Sequence, residues 1–332
     1  MNLEMINVGI IKKANIHIDG LTVIAGENDS GKSTVGKVLY SLIKADNMAK
    51  RKEQRHSSDK RDYTLKQVLS LVFDQTLFPR GTVQLWSDNK PAYEARFSKG
   101  SSIFNTTHSP FADATIIESP LIWNMTDFFS TVEKLRTEDE MFGIGFDIKY
   151  PYVSWDLYKK LSVERNYGAL QNGPDVLNQI YSTINGKFEK SGGKYVFIKQ
   201  ENGKKISVPI FNTASGIRSL GILQILLENC QIHSRTLLIV DEPEVHLHPM
   251  WEVIYAQVLC EFVKSGVSVV VNTHSIYMVQ ALKKYSASFA DRTHFYLTEK
   301  ENERSTFIDV SHNLNQIFKK FNDPLQRLIW EE

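Results

Sequence analysis

The sequence predicts an α/β fold: a mixed, mostly parallel sheet with helices on both faces, an antiparallel β part and a helical insertion. Three observations point there. Short, fully apolar runs occur at LTVIA (21–25), TLLIV (236–240) and VSVVVN (267–272). A strand without polar alternation is buried on both faces, as in a parallel sheet. The first two runs precede amphipathic helical patterns. Val35, Val38, Leu39, Leu42 and Ile43 mark one face of 32–45, and Trp251, Ile254, Tyr255, Val258, Leu259, Phe262 and Val263 mark one face of 250–265. Between the two halves, Pro120 to about Phe188 is aromatic and broken by Gly and Pro.

The elements follow in order. IHIDGLTVIA (16–25) reads as a strand, a turn at Asp19-Gly20 and a second strand. AKRKEQRHSSDKRD (49–62) is polar and mostly basic, an exposed loop or frayed helix end, and 63–73 is a short helix. Alternating patches in 81–105 (TVQLW, YEARF) suggest strands, and ATIIE (114–118) is another apolar run. The aromatic stretch carries helical pieces near 124–136 and 174–188. Residues 194–211 form a hairpin turning at Glu201-Asn202-Gly203. A helix at 216–229, a hairpin near 293–310 and a polar terminal helix complete the chain.

Composition narrows the class. With 332 residues, 42% hydrophobic and 23% charged, the chain has the make-up of a folded globular protein. A net charge of +1 supplies no global field toward nucleic acid or membrane. Cys230 and Cys260 have no CxxC spacing, which excludes a zinc ribbon or disulfide framework and fits a reducing cytoplasm. No apolar run approaches the roughly 18 residues of a membrane-spanning helix. The N-terminus lacks a signal-peptide core. The expected location is cytoplasmic, without membrane contact.

Four motifs carry chemistry. GENDSGKST (26–34) matches G-x-x-x-x-G-K-[ST] between an apolar strand and an amphipathic helix, which marks a phosphate-binding loop. Its backbone N–H groups curl around phosphate oxygens at a helix N-terminus. Lys32 neutralises the β- and γ-phosphates, and Ser33 offers a hydroxyl to Mg²⁺. TLLIVDE (236–242) runs an apolar strand into two acids, which must emerge at the carboxyl edge of the sheet. There Asp241 can hold Mg²⁺ and Glu242 can deprotonate an attacking water. SVVVNTH (268–274) brings His274 to the same edge, where it either contacts the γ-phosphate or the water, or is a satisfied structural histidine. TASGIRSLG (213–221) opens a helix and so offers a second anion-binding N-terminus, which a dimer needs if each protomer closes on its partner's nucleotide.

In the order GENDSGKST, TASGIRSLG, TLLIVDEPEVHLHP, VVVNTHS, the sequence resembles the standalone ABC-class P-loop ATPases related to the RecF, SMC and overcoming-lysogenisation-defect groups. The resemblance covers 1–45 and 205–290 best. It implies an ATP hydrolase using ATP and Mg²⁺. Gly26, Asn28, Asp29, Ser30, Gly31, Lys32, Ser33 and Thr34 form its Walker A loop, and Asp241 and Glu242 its Walker B acids. His274 is the switch histidine, Ser215 and Gly216 touch the γ-phosphate in trans, and EVHLH (244–248) is the D-loop of a head-to-tail homodimer or higher homo-oligomer. The implied ATPase core spans 1–118 and 191–332, split by a helical insertion at 119–190. The pattern departs from the transporter members: ASGIR stands in place of LSGGQ, and Glu118 is the nearest counterpart of the Q-loop glutamine.

Other signals have bland readings. His246 and His248, with His274, suggest a metal site, but alternating histidines on an extended loop more simply make interface hydrogen bonds. Lys50, Arg51, Lys52, Arg55, Lys60 and Arg61 could track a nucleic-acid backbone, or be a solvated face that includes Glu53 and Asp59. The aromatics Trp123, Phe128, Phe129, Phe142, Phe146, Tyr150, Tyr152, Trp155 and Tyr158 form either a partner surface or a small core. With no effector or nuclease motif in the chain, the expected role is a switch over a separate nuclease or toxin in bacterial defence. A RecF-like DNA-binding ATPase and a non-hydrolysing scaffold are the alternatives.

Overall fold

A computed structural model of the chain describes residues 1–53, 61–73, 78–99, 101–142, 150–164 and 168–330. The strands are β1 (Asn2–Val8), β2 (Ile11–His17), β3 (Leu21–Ala25), β4 (Arg80–Ser87), β5 (Lys90–Ser98), β6 (Ser101–Thr106), β7 (Asp113–Ile117), β8 (Gly186–Ser191), β9 (Lys194–Glu201), β10 (Lys204–Pro209), β11 (Thr236–Asp241), β12 (Ser268–Thr273), β13 (Thr293–Glu301) and β14 (Arg304–Asp309). The α-helices are α1 (Lys32–Glu53), α2 (Arg61–Phe73), α3 (Thr126–Phe142), α4 (Tyr152–Ser162), α5 (Gly173–Ile184), α6 (Ser215–Glu228), α7 (Pro249–Lys264), α8 (Ile276–Tyr285) and α9 (Asn315–Trp330). Among the described residues no helix is long and apolar enough to cross a membrane.

The chain divides into two compact units, Met1–Ile116 with Ser234–Glu332, and Ile117–His233. The second unit therefore reaches past residue 190, the end of the expected insertion, and takes in the 194–211 hairpin and the TASGIRSLG helix. Pairing explains this: β8, β9 and β10 form their own antiparallel sheet. In addition, Gln224 of α6 donates from Nε2 to the Phe188 carbonyl of β8 and accepts from the Phe188 N–H, both at 2.9 Å.

The first unit is built on an eleven-stranded sheet of order β6-β5-β4-β1-β2-β14-β13-β3-β12-β11-β7. Its centre is parallel, with β13, β3, β12 and β11 side by side. Every residue of β3 is buried, as an apolar strand between two helical layers requires. β1, β4, β5 and β6 extend it as an antiparallel flank. The terminal hairpin places β13 against β3 in parallel, while β14 runs antiparallel to β13 and parallel to β2. The elements β1, β8, α4 and α8 were not expected. β1 has the period-two signal in its buried Leu3 and Met5, and α4 buries Val153, Leu157, Tyr158 and Leu161 at helical spacing.

In the second unit, Phe129, Trp155 and Tyr158 meet with ring centroids 5.4–5.7 Å apart and are nearly or fully buried. These aromatics thus form a local core, with Phe128 left exposed. The Phe142 side chain and Phe146 lie outside the described residues. The hairpin turn is as expected: Asn202 and Gly203 both take positive φ, at 51° and 74°, the conformation a two-residue turn between twisted strands needs.

Candidate functional site

Register assembles the site at the carboxyl edge of the parallel strands. Asp241 of β11 lies opposite Asn272 of β12, which lies opposite Ile24 of β3, and Thr273 lies opposite Ala25. One residue beyond Ala25 the chain enters the phosphate loop.

The loop 26–31 turns from β3 into α1. A Cβ on Gly26 would sit 1.8 Å from Thr298 Oγ1 on β13, so only glycine fits there. Asp29 and Gly31 take positive φ, 55° and 87°. The curl is tied to β13: Thr298 donates to Ser30 Oγ at 2.8 Å, and the Lys300 ammonium lies 2.5 Å from Asp29. Asn28 is exposed, and Thr34 is half-buried in the first turn of α1. Lys32 is buried and donates to the carbonyls of Gly26 at 2.9 Å and Glu27 at 2.7 Å. Among the described residues it makes no ion pair. Burial lowers its pKa from the ordinary lysine value, partly countered by the carboxylates of Glu242, Asp241, Glu244 and Glu27. A buried cation held by two carbonyls of its own loop is positioned for an anionic ligand.

Ser33 Oγ donates to Asp241 Oδ1 at 3.0 Å, and Asn272 Nδ2 donates to the same oxygen at 2.7 Å. Mg²⁺ takes oxygen ligands at about 2.1 Å in an octahedron, so neighbouring ligands lie about 3 Å apart. The Ser33–Asp241 spacing fits two such positions. Asn272 Oδ1 is buried without a hydrogen-bond partner among the described residues, which leaves an acceptor beside the carboxylate.

Beyond Asp241, Glu242 adopts φ +49°, and its N–H donates to the Asn272 carbonyl at 2.9 Å. That conformation is uncommon for a residue with a Cβ and turns the chain sharply at the strand end. Glu242 Oε1 stands 3.7 Å from His274 Nδ1, so the two chemical candidates of the edge are neighbours. Glu244, read from the sequence only as part of the D-loop, turns inward. Its Oε1 accepts from the His274 N–H at 2.6 Å and the Thr273 hydroxyl at 2.8 Å, and lies 3.2 Å from His274 Nδ1. Burial raises its pKa above the ordinary carboxylate range, partly offset by those hydrogen bonds. Glu252 of α7 accepts from the hydroxyl of Ser275, whose oxygen also caps α8 at Met278 N–H.

The remaining sequence candidates fall as follows. Ser215 and Gly216 form the first turn of α6, whose N-cap, Ala214, supplies no side-chain cap. They belong to the second unit, as does Glu118. Trp123 fixes the helix locally, donating from Nε1 to the Arg218 carbonyl at 3.1 Å. His248 Nδ1 accepts from Met250 N–H at 3.3 Å as the N-cap of α7, and it does not gather with His246 and His274 as a metal cluster. In the basic run, Lys50 is paired with Asp46 at 2.7 Å. Arg55 and Lys60, and the side chains of Arg51 and Lys52, lie outside the described residues. Asn272, Glu244, Thr298 and Lys300 are site residues that the motifs alone did not reveal.

Comparison with known proteins agrees with this geometry. The model of a family described as "AAA domain, putative AbiEii toxin, Type IV TA system" matches residues 97–279, more than half of the chain. No curated protein matches the chain significantly. Among solved structures, the SMC head domain from Thermotoga maritima aligns with a TM-score of 0.51 at 11% identity, covering 93% of this chain and 98% of that one. An SMC head bound to the C-winged helix domain of ScpA aligns with a TM-score of 0.53 at 13% identity, covering 95% and 98%. At such identities the likeness is one of fold. The chain belongs to this AAA-domain, AbiEii-type family and is a P-loop ATPase with a fold similar to SMC heads.

Proposed function

We propose that the chain is an ATP-driven switch: two copies close head-to-tail around Mg-ATP, hydrolysis reopens them, and the cycle controls a separate nuclease or toxin in a bacterial anti-phage defence system of the cytoplasm. The observation that carries the reading is the pairing of Ser33 with Asp241 at 3.0 Å beside the Glu242–His274 pair. Hard-oxygen ligands, a buried lysine and a carboxylate base thereby share one sheet edge.

In this mechanism the loop from Gly26 to Thr34, including Asn28, Asp29, Ser30 and Gly31, wraps the phosphates with its N–H groups, and Lys32 pairs with the β- and γ-phosphates. Ser33 and Asp241 would hold Mg²⁺. The ion, when bound, withdraws charge from the phosphate oxygens and orients them for in-line attack. Glu242 takes a proton from the attacking water as its oxygen bonds to the γ-phosphorus and the bond to the bridging oxygen breaks. His274, held through its backbone by Glu244, orients that water and the γ-phosphate. Ser215 and Gly216 of the partner copy close the site from the opposite side. Loss of the γ-phosphate removes the shared anion, and the closed state loses its bias.

The family description, which names a toxin and a toxin–antitoxin system, favours defence over DNA maintenance. The test is a pull-down from native cells with Glu242→Gln, which retains ATP and stays closed, beside Lys32→Ala, which does not bind it. A protein held differently by the two variants supports the switch. Nucleic acid enriched with Glu242→Gln, and no protein, overturns the effector reading in favour of a DNA-maintenance ATPase.

A further inference from the structure

At the sheet edge opposite the phosphate loop, three strands converge on a group that the ATPase cycle does not use. β13 runs parallel to β3, with Leu297 opposite Ala25 at the phosphate-loop edge and Thr293 opposite Leu21 at the far edge. His294 is therefore at the far edge. β14 returns antiparallel to β13 and brings Asp309 there, opposite Tyr296. β2 runs parallel to β14 and ends at His17. Two histidines thus flank an aspartate on the strand between them. One ligand atom from each of the three residues lies within 4.8 Å of the others, the only such group among the described residues.

We infer that His17, His294 and Asp309 form a site for a divalent transition cation of the Zn²⁺ class. The donor set is two imidazoles and one carboxylate, which suits zinc, cobalt or nickel and not the all-oxygen preference of Mg²⁺. The groups are held by partners outside the cluster. Asp309 Oδ1 accepts from the Ser311 N–H at 2.9 Å and its hydroxyl at 2.6 Å, which fixes the carboxylate and leaves its second oxygen for an ion. Ser311 is itself anchored to β13, accepting from the Phe295 N–H at 2.9 Å. The buried Tyr296 hydroxyl lies 3.1 Å from His17 Nδ1 and accepts from the His17 N–H at 2.9 Å, which orients that ring as an outer-shell partner does. The imidazoles stack, centroids 4.8 Å apart and 23° from parallel, so one ring turns about its Cβ–Cγ bond for both in-plane lone pairs to meet at one ion.

A tetrahedral ion with bonds of about 2.1 Å holds its donors about 3.4 Å apart, so the side chains close by roughly 1 Å on binding. His17 and Asp309 are exposed, which leaves room for that movement, and solvent would supply the fourth ligand. The bound ion would clamp the ends of β2, β14 and β13, the last of which carries Thr298 and Lys300 at its other end.

The test is titration of tag-free, chelator-stripped, nucleotide-free protein with Co²⁺, read by its visible d–d absorption, followed by competition with Zn²⁺. The expected result is one Co²⁺ per chain, displaced by Zn²⁺. That absorption is lost in His17→Gln and Asp309→Asn and kept in Lys32→Ala, whose change lies in the phosphate loop. Tyr296→Phe, which keeps all three ligands and the buried ring, weakens Co²⁺ binding by about 10- to 100-fold. Zn²⁺ raises the melting temperature of the wild type but not of Asp309→Asn. Absence of Co²⁺ absorption in the wild type, or its persistence in both ligand variants, overturns the site.

Discussion

Glu244 holds His274 by its backbone: Glu244 Oε1 accepts the His274 N–H at 2.6 Å, while the same oxygen lies 3.2 Å from the ring nitrogen Nδ1. Glu242, two residues earlier, stands 3.7 Å from that nitrogen. The turn after β11 therefore leaves Glu242 at the carboxyl edge beside His274 and buries Glu244 against that histidine's backbone. Removing the second should misplace the first pair without touching the phosphate loop. Glu244→Ala is expected to lower kcat by about 100-fold, the effect of an ångström-scale displacement of reacting groups. ATP affinity should change little, since Lys32 and Ser33 keep their partners. Steady-state phosphate release and direct nucleotide binding separate the two, and an equal loss of both would make Glu244 a binding or folding residue instead.

The same burial has a pH signature. Burial raises the Glu244 carboxyl above its ordinary value, with the His274 and Thr273 hydrogen bonds acting against it. A carboxyl whose pKa is higher folded than unfolded binds more protons in the folded state between the two values. Its contribution therefore favours the fold at the acid end of that window and declines as the pH rises through it. Glu244→Gln cannot ionise. Relative to that variant, wild-type melting temperature should fall from the ordinary carboxylate range upward to the raised value and then run parallel to it. A difference of opposite slope would contradict the assignment.

The contiguous parts of this site were readable because their chemistry is local in sequence. The loop from Gly26 to Thr34 needs only its own glycines and the start of α1, and Asp241 and Glu242 announce themselves as acids ending an apolar strand. Glu244 was not readable as a support residue, because its partner His274 is 30 residues away and meets it only through the β11–β12 register. Thr298 and Lys300 reach the phosphate loop from 268 and 271 residues away, through the parallel insertion of β13 beside β3. A sequence read as a terminal hairpin gives the pairing of β13 with β14 but not what lies on the other side of β13. The mixed sheet was expected; the strand β1 was hidden because its alternation of Leu3 and Met5 is broken by the exposed Ile6 and by Asn7 at φ 56°, after which Val8 is buried out of phase.

One buried amide ties α6 to β8 in the second unit. Gln224 is fully buried on α6 and pairs with both backbone groups of Phe188, each at 2.9 Å. Gln224→Leu keeps the volume but leaves a buried N–H and a buried carbonyl without partners. Each orphan costs about 1–3 kcal/mol, so the variant should lose roughly 2–6 kcal/mol of stability. Chemical denaturation measures the loss, and hydrogen exchange should locate it at β8. A change under about 0.5 kcal/mol would mean that water takes over both bonds.

The proposed head-to-tail dimer would close on the start of α6. Ala214 at its N-cap provides no side-chain acceptor, so the first turn presents helix N–H groups that favour an anion. A carboxylate placed there is compatible with the helix, because negative charge at an N-terminus is worth about 0.3–1 kcal/mol in its favour. It would also repel a γ-phosphate brought by a partner copy. Ser215→Glu should therefore fold normally and bind ATP as the parent does, yet fail to dimerise. In a Glu242→Gln background, sedimentation with ATP is expected to give a dimer when Ser215 is intact and a monomer when it is Glu. A dimer that persists with Ser215→Glu would place the closing contact elsewhere and remove Ser215 and Gly216 from the site.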